Sequence, residues 1–448
     1  MKKILKENKL TILYIALLFI LSCFFICTEE DLFYVVSNKF KGFDDFYKYS
    51  KGFILSNSLI SLIIKFKIIR VIFITTLLSS LIYIIYKLVN KENKSIPLLG
   101  LYLIILFPNS IFKICTNSYY IVNYLLPIIF SIIYINFLVR NNLQSLKPYI
   151  CFIFGYIVSL INPVFTIMFL IVSLIVLFYK IIKKENSRNH LTLFLGCIAG
   201  AGTVMYGYNY SNSYAYIPNI VEHIFHTLVP LFYTKNTFSF IFITIIFLLS
   251  INIIRFKSKK LKLLTILSDV VIILYTLGHF INMHYYLTYI LYILFTISSI
   301  FILFNFNNSC MFKRKIIIYY VFKIVYVLIL LSQNLVNETS ISFIYVIDVL
   351  IILDILNFIY PKNYLYITLN TASILTLILL IFIYADSFYK NEYIKNQIKR
   401  DLPCNIHNIK LDKRYKRTSP YTLIPSDDYK PYYLEYYKIN SKDYFIIE

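Results

Sequence analysis

Residues 1–34 read MKKILKENKLTILYIALLFILSCFFICTEEDLFY, and three features of this stretch set the reading of the whole chain. Lys2, Lys3, Lys6 and Lys9 precede an apolar run over 10–27, and Glu29, Glu30 and Asp31 follow it directly. Lysines ahead of an apolar run of this length place its start inside and its end outside a membrane. No small-residue cleavage site follows, and many further apolar runs do, so the stretch reads as an uncleaved anchor rather than a leader. Ile20-Leu21-Ser22-Cys23 faintly resembles a lipoprotein box and is set aside on the same ground.

The remaining composition extends this reading. Of 448 residues, 59% are hydrophobic and only 15% charged, and the mean hydropathy is +0.71. A soluble fold has too little interior to hide that much apolar surface, so the chain is expected to be an integral membrane protein. Long Leu-, Ile- and Phe-rich runs favour helices over the weak alternation of a β-barrel. The net charge of +22 would suggest nucleic acid in a soluble protein, but Lys and Arg cluster in the breaks between apolar runs and near the end. Membrane orientation accounts for them, and no nucleic-acid partner is expected. Abundant Ile, Lys, Asn, Tyr and Phe without Trp is what a low-GC coding bias produces, which points to a bacterial cytoplasmic membrane. The seven cysteines show no metal-type spacing.

Along the chain, 28–66 reads as an external loop with short interfacial helices, and 68–89 as the second span, ending among Lys87, Lys91 and Lys94. A run over 96–107 breaks at Pro108-Asn109, and 108–120 is external before 121–139 returns to Arg140 and Lys147. Residues 148–180 are too many for one ordinary span, and Asn162-Pro163 divides them into two short helices meeting outside. Further runs cover 191–206, 237–254, 263–280, 285–306, 316–332, 341–360 and 364–384, with 208–236 a second sizeable external loop. Hydropathy and the alternation of Lys/Arg-rich breaks agree on about thirteen spans. The expected organisation is an all-α polytopic membrane domain over 1–384 and a small external tail over 385–448.

Five groups of residues invite a chemical reading. Adjacent Glu29, Glu30 and Asp31 repel one another, which raises the proton affinity of one of them and suits a general base; the alternative is a solvated loop start. The stretch FPNSIFKICTNSYYIVNYLLP (107–127) crowds Lys113, Asn117, Tyr119, Tyr120, Asn123 and Tyr124 around a span entrance. Its amides and hydroxyls suit a sugar and Lys113 suits a phosphate, against ordinary interfacial Tyr and Asn. EHIFH (222–226) spaces two imidazoles three residues apart without a third metal ligand, and HFINMHYY (279–286) puts His284 at an external turn where it can meet a phosphate. Asp269, Asp348 and Asp354 fall inside predicted spans, where a carboxylate is costly unless paired or hydrated. They support a transporter, or simply bonds between helices.

An anchor span, an acidic motif opening the first external loop, short paired spans and an external tail resemble the GT-C superfamily of membrane glycosyltransferases. More narrowly, EEDLFY (Glu29 to Tyr34) is similar to the acidic-pair-plus-aromatic motif of a bacterial multi-pass family of unknown function, related to glucosyltransferases that modify surface polysaccharide. VNYLLP (Val122 to Pro127) is similar to that family's Asn-Tyr-aliphatic-aromatic-Pro stretch. The chain departs from the pattern in having no Arg in KGFILSNSL (51–59) and no acidic residue in LINPVFT (160–166).

The resemblance implies inverting transfer of a sugar from a polyprenyl-phosphate-linked donor to a cell-envelope glycan or lipid on the external face. Asp31 or Glu30 would then be the base. Lys113, Asn123, Tyr124 and His284 would bind substrate, the cations among them steadying the departing phosphate. A divalent cation, Mg2+ or Mn2+, is the alternative for that task, because clustered carboxylates suit a hard ion. A transporter or flippase of lipid-linked oligosaccharide or polysaccharide is the second reading, and a non-catalytic envelope assembly protein the third.

Overall fold

Runs of Leu, Ile, Phe and Val bounded by Pro, Asn and Lys become helices here because hydrocarbon leaves backbone N–H and C=O groups no partner except one another. The computed structural model describes residues 9–25, 31, 54–89, 117–210, 237–256, 259–281, 285–307, 309–330, 341–359, 363–401, 408–410 and 445–447. In chain order the helices are α1 (Lys9–Cys23), α2 (Ile54–Lys65), α3 (Lys67–Val89) and α4 (Ser118–Arg140). Then come α5 (Pro148–Ser159), α6 (Pro163–Ile182), α7 (Arg188–Tyr210), α8 (Thr237–Phe256) and α9 (Lys259–Ile281). The last four are α10 (Tyr285–Phe306), α11 (Cys310–Leu330), α12 (Ser342–Ile359) and α13 (Asn363–Asp401).

Among the described residues, five helices are long and apolar enough to cross a membrane, on α3, α4, α6, α9 and α13, and several shorter apolar helices accompany them. The chain is a helical membrane protein. The expected span over 96–107 and most of the three external loops lie outside the described residues. The break at Asn162-Pro163 is present: Asn162 caps α6 by accepting from the Val164 N–H at 2.9 Å, and Pro163 takes the first helical position, where a missing N–H costs nothing.

One boundary differs from expectation. The last helix does not stop near residue 384 but runs to Asp401. At 1.5 Å per residue it is about 58 Å long, against a hydrocarbon core of about 30 Å, so its final turns stand clear of the bilayer. The sequence after 384 is polar but holds no Pro or Gly before Pro403, and Asp386 pairs with Lys390 one turn on at 2.5 Å. Beyond it, β1 (Asn408–Lys410) pairs in parallel with β2 (Phe445–Ile447).

Side-chain contacts fix the relative directions of the helices. Tyr14 bonds Ser373 and Phe25 packs on Tyr384, so α1 and α13 are parallel. Ser22 meets Thr75 and the Phe25 carbonyl meets Arg70, so α3 is antiparallel to α1. Tyr134 meets Phe322 edge to face while the Leu138 carbonyl accepts from Arg314, which sets α4 against α11. α4 is the most enclosed of the five spans, with 72% of its apolar window buried, whereas α9 and α13, at 33% and 28%, turn most of theirs outward.

α5 and α7 pack backbone to backbone. A Cβ on Gly155 would lie 2.4 Å from the Leu193 carbonyl oxygen, one on Gly196 2.2 Å from that of Phe152, and one on Gly200 2.6 Å from the Ser159 Cβ. Gly196 and Gly200 form the small-xxx-small spacing that lets helices approach in a membrane, where apolar side chains alone gain nothing over lipid. Gly202, two residues on, has open space around it. Gly196→Ala is expected to destabilise the protein by about 1–3 kcal/mol, as overpacking does, and Gly202→Ala to leave it nearly unchanged. Thermal unfolding in detergent checks this, and equal loss in both variants would contradict the packing described.

Candidate functional site

α4 starts with its N–H groups unsatisfied, as every helix does, and it starts inside the protein. Asn117 accepts from the Tyr119 N–H at 2.9 Å and from that of Tyr120 at 3.4 Å. The second acceptor comes from far away in sequence: Asp31 takes the Tyr119 N–H at 3.0 Å on one carboxylate oxygen and the Ser118 N–H at 3.4 Å on the other. Its side chain is fully buried. The positive end of the α4 dipole and two donors solvate its charge. The acidic stretch after α1 and the aromatic-amide stretch at the start of α4, quoted above as separate motifs, therefore meet at one place.

One turn further along, α4 widens into a π-turn over Ile121–Leu125, in which the Leu126 N–H reaches back five residues to the Ile121 carbonyl. Such turns recur at functional sites because they displace side chains from the ordinary helical rows. The Asn123 carbonyl accepts from the side chain of Asn162, the α6 cap, at 2.9 Å. One amide thus supports both irregularities, the π-turn and the break between α5 and α6. Thr166, on the first turn of α6, bonds the carbonyls of Ser159 and Asn162 at 2.7 and 2.9 Å and closes the node.

The Asn123 side chain is buried, and neither its oxygen nor its nitrogen has a partner among the described residues. A buried amide without partners costs on the order of 1–3 kcal/mol and calls for an explanation. Tyr124 is half-buried beside Tyr120, their ring centroids 6.0 Å apart. α2 packs against these first turns of α4 and buries Ser56 and Asn57. Of the expected site residues, Asp31, Asn123 and Tyr124 are gathered here. Glu30, Lys113 and His284 lie outside the described residues.

Arg70 is a cation at this end that the sequence reading passed over. It is buried on α3 and donates to the Phe25 carbonyl at 3.0 Å, where α1 ends and the acidic stretch begins. Nearby, Lys67 sits over the Phe388 ring at 4.4 Å. The signal was available: Lys65, Lys67 and Arg70 mark the end of α3 that charge alternation assigns to the outside, against the usual bias, so a specific task was to be expected of them.

The carboxylates predicted inside spans are resolved differently. Lys323 on α11 bonds Asp348 on α12 at 2.6 Å, and Lys315 bonds Asp354 at 2.6 Å, with the Tyr319 hydroxyl donating to the other Asp354 oxygen at 2.8 Å. Lys315, Tyr319 and Lys323 stand four residues apart on one face, matched by Asp354 and Asp348 on the antiparallel neighbour. A small cavity of about 40 Å³ adjoins the Lys323–Asp348 pair, walled by Phe242, Tyr275, Tyr292, Phe295 and Tyr345. Asp269 is buried on α9 with one carboxylate oxygen unpartnered among the described residues.

A divalent cation would need several oxygen ligands. The described residues hold no group of three or more His, Cys, Asp or Glu placed to bind one, and both oxygens of Asp31 already accept N–H donors. Comparison of the chain with protein-family models, curated proteins and solved structures finds no match.

Cutting one partner from a buried pair leaves a charge without its counter-ion, whereas replacing both does not. Lys323→Leu or Asp348→Leu alone is expected to cost about 3–5 kcal/mol, and the double variant far less than the sum. Thermal unfolding of the four proteins measures the coupling; additive losses would show that the pair does not hold α11 to α12.

Proposed function

We propose that this protein is an inverting membrane glycosyltransferase of GT-C type with about thirteen spans, acting at the external face of a bacterial cytoplasmic membrane. The supporting observation is the hydrogen bonding of Asp31 to the first turn of α4, one turn from the unpartnered amide of Asn123. A carboxylate, a buried amide and a tyrosine on the first turns of the most enclosed span are residue types that suit sugar binding with base catalysis.

Outside the cytoplasm no soluble nucleotide sugar is supplied, so the donor carries its sugar on a polyprenyl phosphate whose tail stays in lipid. Asp31, or Glu30 beside it, takes the proton of an acceptor hydroxyl. The acceptor oxygen bonds the anomeric carbon as the bond from that carbon to the phosphate oxygen breaks, inverting the centre and releasing polyprenyl phosphate. The acceptor is a cell-envelope glycan or lipid. Asn123 and Tyr124 hold sugar hydroxyls, and a cation, Lys113 or His284, with Arg70 as a further candidate, steadies the departing phosphate. Mg2+ or Mn2+ is the alternative for that last task, with Glu29 and Glu30 as added ligands.

The test is sugar transfer from a polyprenyl-phosphate donor in proteoliposomes. Asp31→Asn keeps an acceptor for the α4 N–H groups and is expected to lose at least about a hundredfold in rate, the range for a general base, while remaining folded. Asn123→Leu removes a buried amide without partners, so its melting temperature should hold or rise while transfer falls at least about tenfold. Unchanged transfer in Asp31→Asn, Glu30→Gln and Asn123→Leu together would remove this site from the mechanism.

A second reading, transport of a lipid-linked oligosaccharide or polysaccharide, is favoured by the Lys323–Asp348 pair and its adjoining cavity, because ion pairs inside spans mark many transport pathways. It predicts that Asp348→Asn stops substrate movement in sealed vesicles while Asp31→Asn does not.

A further inference from the structure

At the opposite end of α4 from Asp31, a cleft of about 590 Å³ lies among α4, α6, α10 and α11. Its body is apolar, formed by Val172, Ile175 and Val176 of α6 against Ile317, Val321 and Phe322 of α11. It extends from Lys180 inward to Val172, about 12 Å along the helix axis. Ile175 and Ile317 are exposed on its flanks, so it opens sideways toward lipid.

Its mouth is charged. Lys180, Lys313 and Arg314 line it with Glu185 as the one carboxylate and Asn141 as the shared acceptor. Arg314 donates from one guanidinium nitrogen to the Leu138 carbonyl at 2.6 Å and to the Asn141 side-chain oxygen at 2.6 Å. Those bonds use one nitrogen of the fork, and the guanidinium carries further N–H donors. Lys180 bonds Glu185 and, at 3.4 Å, Asn141. The bonded Lys180, with Arg314 and Lys183 near, holds the Glu185 carboxyl below its usual range, so it is ionised at neutral pH. Among the described lining residues, three cations stand with one carboxylate at the mouth of an apolar groove.

We propose that this cleft binds an anionic phospholipid of the adjoining leaflet, its phosphodiester against Arg314, Lys180 and Lys313 and the upper part of an acyl chain between α6 and α11. A basic pocket between spans recognises such a headgroup, and the guanidinium fork matches phosphate oxygens. The apolar body distinguishes a lipid from free phosphate, and the charge distinguishes an anionic lipid from a zwitterionic one. The site is independent of the proposed sugar transfer, lying at the other end of the span.

Native mass spectrometry of the full chain in detergent tests this, with dioleoyl phosphatidylglycerol, dioleoyl phosphatidylcholine and inorganic phosphate as probes. Retention of phosphatidylglycerol at least about fivefold above phosphatidylcholine is expected, with no competition from millimolar inorganic phosphate. Lys313→Gln combined with Lys180→Gln should lower that preference at least about threefold. Val176→Trp, which fills the groove and keeps every cation, should lower retention of phosphatidylglycerol as well, and melting curves confirm that both variants are folded. Equal retention of the two lipids, an undiminished preference in the double lysine variant, undiminished retention in Val176→Trp, or displacement by inorganic phosphate would overturn the proposal.

Discussion

In hydrocarbon a charge or a freed backbone group must find its partner within the protein, and this constraint explains which helices stand next to which. α12 carries Asp348 and Asp354 and lies along the face of α11 that carries Lys323 and Lys315. Asn162 answers the Asn123 carbonyl at the α4 π-turn, so the broken helix α5–α6 is held against α4. Arg70 closes the end of α1, and Arg314 closes the end of α4 by bonding the Leu138 carbonyl. Apolar packing alone gives little preference for one neighbour over another among lipid tails; these few polar contacts and the glycine seam between α5 and α7 supply it.

The same constraint organises the two ends of α4. At one end Asp31 and Asn117 accept the N–H groups of its first turn, and at the other Arg314 and the Asn141 backbone N–H donate to its last carbonyls. Each arrangement leaves polar chemistry beside an apolar wall. Near Asp31 that is an unpartnered amide and aromatic rings, suited to a sugar. Near Arg314 it is a cluster of cations above an apolar groove, suited to a lipid phosphate. A single buried helix thus carries the proposed reaction site and the proposed lipid site at its opposite ends.

Much of the fold was legible because apolar length and proline are strong signals. The helix over 285–306 and the break at Asn162-Pro163 were placed closely. The end of α13 was not, since polar residues after 384 read as a tail although nothing there stops a helix. Of the site, Asp31, Asn123 and Tyr124 stood out by residue type, but their meeting depends on hydrogen bonds between residues 31 and 118–119, which no local pattern encodes. Lys323 was hidden for a similar reason. It sits inside an apolar run and becomes intelligible only once Asp348 is seen across from it.

Sugar chemistry is proposed where Asp31 meets the first turn of α4. The most direct measurement is a structure of the full chain in lipid nanodiscs with a polyprenyl-phosphate sugar bound. Sugar density is expected beside Asp31, with hydroxyls on the side chains of Asn123 and Tyr124 and the polyprenyl chain leading into lipid. Donor density elsewhere, at the Lys323–Asp348 cavity for instance, with Asn123 and Asp31 untouched, would contradict it.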